Sequence, residues 1–394
     1  MRSALHTRTP LARPGEFRPL RIGPLAIHPP VVLAPMAGVT NPPFRTLCRR
    51  FSAERCLYVS EMITARSFAD GNPKTLHLAS FGREETTRSI QLYGTHPEHL
   101  GRAARILAEE WGVHHIDINL GCPVRKVTAQ GGGAAIPARP RLMARLVRAV
   151  VQNAGAVPVT VKFRKGVDDG LPTFRDAGRI AQEEGCAAVA LHARTAAQLY
   201  SGEADWQAVA ELKQLVTRIP VLGNGDIFEA HDALQRMRES GCDGVVVGRG
   251  CLGRPWLFRD LVDVFDGREP QAPPRLGEIV AVILEHAQLL AEFFGERAAL
   301  LQMRRHACWY TKCFPGSARL HPALQQVSTM DELRGVLGRL DPALPFPPEA
   351  LRVKRGKASG TQKVTLPHGY LEDRDEDLPT SEDPNEVDGA LSGG

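Results

Sequence analysis

The amino-acid sequence predicts a (β/α)8 TIM barrel followed by a small all-helical domain. Eight short apolar runs, rich in β-branched residues, recur between residues 31 and 247, with successive starts 25 to 43 residues apart. Such continuous apolar runs are typical of parallel strands buried on both faces. Helical patterns occupy five of the intervals, and eight alternations over roughly 240 residues match the size of a barrel. A doubly wound sheet is disfavoured, because no GxGxxG pattern follows the first run.

The elements follow in order along residues 21–262, which we assign to the barrel. The predicted strands are Val31–Ala34, Leu57–Val59, Ser89–Leu92, His115–Ile118, Pro158–Phe163, Ala187–Leu191, Ile219–Leu222 and Gly244–Val247. The predicted helices are His99–Trp111, Arg141–Asn153, Phe174–Glu184, Trp206–Val216 and Ala230–Glu239. After a proline-rich linker, residues 276–340 show helical periodicity. The residues predicted to share one face of the first helix there are Ile279, Ile283, His286, Leu290 and Phe294.

Both ends of the chain are expected to be disordered. Residues 1–20 carry four arginines and lack the apolar segment of a secretory signal. Residues 345–394 are first proline-rich, then basic, then acidic, and they have few apolar residues to bury.

The charge distribution favours a polyanionic partner. The 394 residues have a net charge of +5, but residues 371–394 hold nine acidic residues and one arginine, so residues 1–370 carry +13. A basic body of this kind is typical of proteins that bind nucleic acid. No apolar segment reaches the ~18 residues that a membrane-spanning helix needs, so no membrane span is predicted.

The eight cysteines are scattered, and no CxxC pair occurs. This spacing predicts neither a zinc or iron–sulfur site nor a disulfide framework. His306, Cys308 and Cys313 are close in sequence, but an obvious fourth metal ligand is lacking. We therefore expect no metal and a reducing, cytoplasmic compartment. A monomeric protein is also expected.

Glycine-rich turns follow the last two predicted strands, at 223–227 and 248–250. The active site of such a barrel lies at the carboxyl ends of its strands, and the loops after strands 7 and 8 usually bind phosphate through backbone N–H groups. Arg249 would add charge-assisted hydrogen bonds. Tight turns occur in any α/β protein, but two in the expected places favour a phosphate, carried either by a cofactor or by a substrate.

Three polar residues interrupt the apolar strands. Lys162 lies deep in its run, and a lysine is seldom buried without a partner, so it would hold an anion or a negatively charged ring. Gln91 can both donate to and accept from a heterocycle edge, although an amide satisfied inside the barrel is equally consistent. His192 ends the sixth strand, where a structural histidine is the default interpretation, but a second polar residue, Lys162, at the adjacent strand end weakens that default. The small residues of 34–38 would let a flat ligand approach the backbone.

Cys122 lies between Gly121 and Pro123 at the exit of the fourth strand, a poor setting for a packed side chain. Arg125 and Lys126 place positive charge just beyond the thiol. A buried cysteine at a turn is the alternative, but these neighbours favour a reactive thiol on a loop.

Together these stretches resemble the bacterial tRNA-dihydrouridine synthases, in particular the B-type. The resemblance extends from about residue 20 to residue 325 and depends on an ordered set of motifs. The matching stretches are Ala34–Thr40, Ser60–Met62, Asn119–Pro123 with Lys126–Val127, Val161–Lys162, His192–Thr195, Tyr200–Gly202 with Ala204–Trp206, Asn224–Ile227, Gly248–Gly250 and Gly253–Trp256.

The resemblance implies an FMN-binding barrel, a helical tRNA-binding domain, and reduction of the C5–C6 double bond of particular uridines in tRNA with NADPH. Cys122 would be the proton donor, since a thiol is mostly protonated at neutral pH yet gives up its proton readily. The residues implied to contact FMN are Pro35, Met36, Ala37, Gln91, Lys162, His192, Asn224, Gly225, Asp226, Gly248 and Arg249. The residues expected to contact RNA are Asn119, Arg125, Lys126, Arg304, Arg305 and Lys312.

One departure from the family concerns Cys313, which stands where the family often has glycine. Two other functions remain open. A small-molecule pyrimidine flavin oxidoreductase, of the dihydroorotate or dihydropyrimidine dehydrogenase kind, would use the same barrel, but the basic body and the helical domain favour RNA. A non-catalytic RNA-binding protein is disfavoured by Cys122, Lys162 and the two glycine-rich turns.

Overall fold

A short hairpin closes the amino-terminal end of the main sheet in the computed structural model, which describes residues 9–356 and 360–379. The hairpin consists of antiparallel strands β1 (Leu20–Ile22) and β2 (Leu25–Ile27). Leu20 and Ile22 are buried in a hydrophobic cluster with Leu57 and other apolar residues at the starts of the barrel strands. The hairpin therefore fills the end of the barrel that lies away from the strands' carboxyl ends.

The predicted eight-stranded barrel is confirmed. Every strand is parallel to its neighbours, and the last strand pairs with both the first and the seventh, which closes the sheet. Closure leaves no unpaired sheet edge. The strands are β3 (Val31–Leu33), β4 (Leu57–Thr64), β5 (Ser89–Tyr93), β6 (His115–Leu120), β7 (Val159–Arg164), β8 (Ala188–His192), β9 (Val221–Asn224) and β10 (Gly244–Val247).

Helices surround the barrel, and the five predicted from periodicity are among them. The barrel helices are α1 (Pro42–Phe51), α2 (Ala65–Ala69), α3 (Pro73–Ala79), α4 (Pro97–Glu109), α5 (Arg125–Thr128), α6 (Pro140–Asn153), α7 (Phe174–Glu183), α8 (Trp206–Leu215), α9 (Ala230–Ser240) and α10 (Leu257–Phe265). The unpredicted ones have ten residues or fewer, which gives a 3.6-residue period little length to repeat. Asn41 caps α1 by accepting a hydrogen bond from the Phe44 backbone N–H.

A helical region follows the barrel, as predicted. It contains α11 (Leu276–Phe294), α12 (Glu296–Tyr310), α13 (Ser317–Leu324) and α14 (Met330–Leu337). Of the predicted face of α11, the first four residues are buried and Phe294 is half-buried. Their cluster is distinct from the barrel core, so this region has a core of its own. Cys313 has φ 71°, a left-handed conformation that favours glycine.

The helical region packs against the barrel beside the carboxyl ends of the strands. Arg305 of α12 donates a hydrogen bond to the backbone carbonyl of Gly38, in the loop that follows β3. The rings of Phe44 and His286 lie 5.6 Å apart, and those of His77 and Phe293 stack at 4.1 Å. The ring contacts hold α11 against the barrel, and the Arg305 hydrogen bond holds α12 at its mouth.

The two terminal segments differ from the expected disorder wherever the structure describes them. Among residues 9–20, Ala12 is buried and donates its N–H to Val264, and Glu16 pairs with Arg238 at 2.6 Å. Residues 345–356 contribute buried side chains to the helical region, and residues 360–379 lie along the barrel. Residues 1–8, 357–359 and 380–394 lie outside the described residues.

Tyr370 explains why residues 360–379, which we call the strap, lie against the barrel despite their polar composition. Its side chain is almost fully buried, and its hydroxyl donates to the carbonyl oxygen of Gly131 at 3.1 Å. The Arg139 guanidinium lies 4.2 Å from the centre of the ring and donates to the Tyr370 carbonyl. One buried aromatic residue with a polar anchor thus supplies the apolar burial that the composition of the segment did not suggest.

We expect Tyr370→Phe to lower the free energy of unfolding by roughly 0.5–1.5 kcal/mol, because the carbonyl oxygens that accept from the hydroxyl lose their donor while the ring stays buried. Urea denaturation followed by fluorescence measures the change. His368→Ala, at an exposed residue of the same strap, is the control and should leave the midpoint unchanged. Equal midpoints for wild type and Tyr370→Phe would show that this hydrogen bond contributes nothing to stability.

Candidate active site

A cavity of about 750 Å³ opens at the carboxyl ends of the barrel strands. Residues from all parts of the barrel line this cavity, and so do Arg305 and Trp309 of α12. The residues predicted to contact a cofactor or to act in catalysis all line it: Pro35, Met36, Ala37, Gln91, Cys122, Lys162, His192, Asn224, Gly225, Asp226, Gly248 and Arg249. The volume falls within the usual range of small-molecule sites, about 300–1,000 Å³.

The loop after β3 forms one rigid part of the cavity wall. The Met36 N–H donates to the Thr40 hydroxyl at 2.9 Å, and the Gly38 N–H donates to the carboxylate of Glu61 at 2.6 Å. Glu61 is buried, and burial raises the pKa of its carboxyl group, partly offset by the Gly38 hydrogen bond and by Arg45 and Arg305. Glu61 of β4 and Arg305 of α12 therefore both hold this loop, each through a hydrogen bond to the Gly38 backbone.

Positive charge dominates the centre of the cavity. Burial lowers the pKa of Lys162 to about 8, with Arg164 adding to the effect and Asp117 opposing it, so the ammonium group remains mostly charged at neutral pH. Burial together with the nearby cations lowers the pKa of His192 well below its usual value, which leaves a neutral imidazole. The Arg249 guanidinium lies 4.4 Å from the centre of the Tyr200 ring. This concentration of cations favours an anionic ligand.

The two glycine-rich turns approach the cavity with bare backbone. Gly225 has φ 140°, and a Cβ placed there would lie 2.5 Å from the Cβ of Ala204, so a larger residue does not fit. A Cβ on Gly250 would collide with the carbonyl oxygen of Ile227. Such turns expose N–H groups of the kind that bind phosphate.

Asp226 has protein partners that the sequence did not reveal. Both of its carboxylate oxygens accept hydrogen bonds from Arg194 at 2.7 Å, and one also accepts from the Ala204 N–H. Arg194 is fully buried and donates further to the carbonyl oxygens of Ser201 and Gly202. The Asp226 carboxylate therefore stabilises the turn after β9. With its side chain engaged in this way, Asp226 is left to contact a ligand mainly through its backbone.

Cys122 is half-buried in the cavity wall, and its backbone is held on both sides. The N–H groups of Gly121 and Cys122 donate to the Asn119 side-chain oxygen at 3.1 and 2.9 Å. Arg164 donates to the Gly121 carbonyl at 2.9 Å. Gln362 of the strap donates to the Pro123 carbonyl at 2.7 Å, so the strap also contacts this loop. The thiol thus stands at a defined position in the site.

The residues expected to contact RNA separate into two groups. Asn119, Arg125 and Arg305 line the cavity, and Lys126 is exposed next to Arg125 on α5. Arg304 donates to the carbonyl oxygens of Val327 and Gln326, and Lys312 donates to that of Lys354, so both bond to backbone away from the cavity. The cluster at 304–312 is therefore not one continuous surface at the mouth.

Several lining residues were not among the predicted site residues, and four of these carry N–H or O–H groups in their side chains: Arg164, Tyr200, Trp309 and Gln362. Arg164 follows Lys162 by two positions in β7 and so shares its inward face, a period-2 signal that the sequence does contain. Trp309 and Gln362 come from α12 and the strap, and no local pattern places them at the barrel mouth.

Two negative findings concern the described part of the chain. Within residues 9–356 and 360–379, no group of three or more His, Cys, Asp and Glu side chains is arranged to hold a metal ion. Over the same residues, no helix combines the length and the apolar character needed to span a bilayer.

Comparison with known proteins gives consistent matches over the barrel and the helical region. A family model described as dihydrouridine synthase (Dus) matches residues 32–343. A probable tRNA-dihydrouridine synthase of Mycobacterium tuberculosis is 52% identical over 364 residues, which cover 91% of this chain and 93% of the relative. One from Mycobacterium leprae is 49% identical, covering 88% and 96%. A tRNA-dihydrouridine synthase B of Xanthomonas axonopodis pv. citri is 40% identical over 312 residues, covering 79% and 92%.

Proposed function

Because the chain belongs to the dihydrouridine synthase family, we propose that it is an FMN-dependent tRNA-dihydrouridine synthase that uses NADPH as reductant. The proposed reaction adds hydrogen across the C5–C6 double bond of specific uridines in tRNA, which places the protein in the cytoplasm with its substrate. One observation carries the proposal: the Cys122 thiol lies in the wall of the cavity that also presents Lys162, Arg164 and two glycine-rich turns.

The residues of the cavity fit FMN. The turns around Gly225 and Gly248 would hold the phosphate through backbone N–H groups, with Arg249 supplying charge. The residues of 35–37 would support the flavin ring, and Lys162 and Gln91 would bind its polar edge. The volume of about 750 Å³ also leaves room for a base beside the cofactor. When bound and reduced by NADPH, FMN supplies the hydride that adds to C6 of uracil.

Cys122 supplies the remaining proton in this proposal. Addition of hydride at C6 leaves negative charge on C5 and O4 of the uracil, and the thiol donates its proton to C5. Asn119 and Arg164 hold the peptide group that joins Gly121 to Cys122, which keeps the proton donor in one place. The uridine must leave its stack to reach the cavity, as bases do in other enzymes that act on them.

The first two residues of α5 are the best-placed RNA contacts among the predicted residues. Arg125 and Lys126 are both exposed, and they follow Cys122 by only three and four positions. A flipped uridine remains joined to its neighbours, so its flanking phosphates must lie near the mouth of the cavity. These two cations are therefore proposed to bind phosphates beside the reacting uridine, with Asn119 and Arg305 facing the base.

We expect Arg125→Ala together with Lys126→Ala to weaken tRNA binding and to flatten its salt dependence. Each phosphate that is no longer neutralised by the protein reduces the slope of log affinity against log salt concentration by about 1. Filter binding or fluorescence anisotropy at several salt concentrations measures both quantities. The matched control is Arg21→Ala with Arg218→Ala, since both residues are exposed but lie at the opposite end of the barrel. If both double variants keep the wild-type slope, α5 does not bind RNA.

The proposed function is tested directly by product and cofactor. The purified protein should carry a yellow chromophore identified as FMN, and with NADPH it should form dihydrouridine in unmodified tRNA. Mapping dihydrouridine in tRNA from a strain that lacks the protein then identifies the position. Reduction of free uracil or orotate without reduction of tRNA would favour a small-molecule oxidoreductase instead.

A further inference from the structure

A column of buried polar side chains runs through one side of the barrel interior, beneath Cys122. Its members project inward from β5, β6 and β7, and all are buried except Asn119, which is half-buried: Ser89, Gln91, His115, Asp117, Asn119 and Thr160. The corresponding inward positions on the other side of the barrel are apolar, including Val32, Leu57, Ala188 and Leu222. The barrel thus accepts apolar residues at this depth, yet it keeps a carboxylate there at a desolvation cost.

The hydrogen bonds of the column form two arms that meet at Asp117. In the lower arm, Ser89 bonds to His115 at 2.7 Å, His115 to Thr160 at 2.8 Å, and Thr160 donates to Asp117 at 2.5 Å. In the upper arm, Gln91 donates to the other Asp117 oxygen at 2.6 Å. Asn119 donates to the Gln91 side-chain oxygen at 2.8 Å.

The upper arm ends at the catalytic loop. With its amide nitrogen committed to Gln91, Asn119 turns its oxygen toward the backbone N–H groups of Gly121 and Cys122. An ionised carboxylate only accepts hydrogen bonds, so it requires the amide nitrogen of Gln91 to face it. The Gln91 oxygen must then face Asn119, and the Asn119 oxygen must face the loop. The direction of every hydrogen bond in the upper arm therefore follows from the acceptor at Asp117.

We propose that Asp117 is a positioning residue for the reaction, acting through Gln91 and Asn119 to hold the backbone of Cys122. The inference rests on the proposed function, because it assigns Asp117 to the proton-donating thiol of that reaction. Asp117 does not line the cavity, so it acts on the site without touching the ligand. Burial raises the pKa of Asp117 to about 6, against the opposing effects of Thr160, Gln91 and Lys162, and this leaves the group mostly ionised at neutral pH.

The test separates the two arms with a matched pair of variants. Thr160→Val removes a donor from the lower arm and leaves the upper arm with its acceptor. Asp117→Val combined with Thr160→Val removes the acceptor as well. Both partners of the hydrogen bond between Thr160 and Asp117 then become apolar, so the double variant should fold more readily than Asp117→Val alone. Asp117→Asn keeps one acceptor oxygen for Gln91 and serves as the conservative variant.

We expect the double variant to form dihydrouridine about 10- to 100-fold more slowly than Thr160→Val, as for a misplaced catalytic group. Reduction of the bound flavin by NADPH is measured in both variants and the rate of dihydrouridine formation is taken per reducible flavin, because Gln91 also lines the proposed flavin site. Asp117→Asn should recover most of the lost rate. These rates are measured in single turnovers on tRNA and by flavin absorbance.

A second readout is independent of activity. In the FMN-loaded protein, hydrogen exchange of peptides that contain the Gly121 and Cys122 amides should be about 2- to 10-fold faster in the double variant than in Thr160→Val. Equal exchange and equal dihydrouridine formation in the two variants would overturn the positioning role. If the wild-type protein itself forms no dihydrouridine in tRNA, the proposed function fails instead, and the exchange experiment still reports on the upper arm.

Discussion

Cys122→Ala is expected to remove dihydrouridine formation while leaving the flavin bound and reducible. A positioned general acid typically contributes about 10²- to 10⁴-fold to a reaction, so the rate of product formation should fall by about that factor. The residues of the cavity that would hold FMN do not depend on the thiol, so flavin content and reduction by NADPH should stay at wild-type levels. A single turnover of reduced enzyme with unmodified tRNA measures reduction of the uridine, the half of the reaction that uses the proton donor, separately from reduction of the flavin.

Cys308→Ala provides the matched control for the thiol. Cys308 is also half-buried, but it lies in α12 and does not line the cavity, so its loss should leave all three measurements unchanged. A wild-type rate of tRNA reduction in Cys122→Ala would exclude the thiol from the mechanism. Loss of flavin together with activity would show instead that Cys122 maintains the structure of the site.

Arg194→Met is expected to destabilise the protein by about 3–5 kcal/mol and to reduce its retention of FMN. Removal of one partner from a buried ion pair leaves the other charge without compensation, which is the costly way to break such a pair. Here the Asp226 carboxylate would lose its bonds to a fully buried guanidinium, and the carbonyl oxygens of Ser201 and Gly202 would lose their donor. The turn after β9 would then lack the ion pair that shapes it.

Arg148→Met is the control for this change, because the same bidentate geometry occurs there at the surface. Arg148 donates to both oxygens of Glu184 at 2.8 and 2.6 Å, but the arginine side chain is 52% exposed. Exposed pairs contribute at most about 1 kcal/mol, so only a small change is expected. Thermal denaturation and flavin content after dialysis measure both variants. Equal destabilisation in the two would show that burial of the Arg194 pair is not what makes it matter.

The location of the site could be predicted from the sequence because barrel topology converts position in a strand into position in space. Parallel strands end at one edge, so Gln91, Lys162 and His192 must approach one another even though they are up to about 100 positions apart. The structure places all the predicted cofactor residues around one cavity. Their contact with FMN stays a prediction that the flavin measurements above test.

The roles of individual polar residues were harder to predict, because a side chain with one partner looks the same in sequence as a side chain that awaits a ligand. The sequence left two interpretations of Gln91, a contact with a ligand or a hydrogen-bond partner inside the barrel. In the structure, Gln91 donates a hydrogen bond to Asp117. Asp226 bonds to Arg194, and Arg304 and Lys312 bond to backbone carbonyls. Charge and residue type indicate that a group needs a partner, but they do not indicate which partner it has.

What the sequence by itself determined is the eight barrel strands, five of the helices around them, the closure of the barrel and the edge at which its chemistry lies. These follow from local periodicity and from burial of apolar runs, which act along a few consecutive residues. Only the tertiary structure decided that Tyr370 anchors the strap beside Gly131, that Trp309 joins the cavity and that Asp117 connects to Cys122. The Tyr370 hydrogen bond joins residues 239 positions apart, and the network at Cys122 depends on the register between neighbouring strands. Hydrogen bonds form between groups within about 3 Å in space, and no local pattern in the chain encodes such a distance.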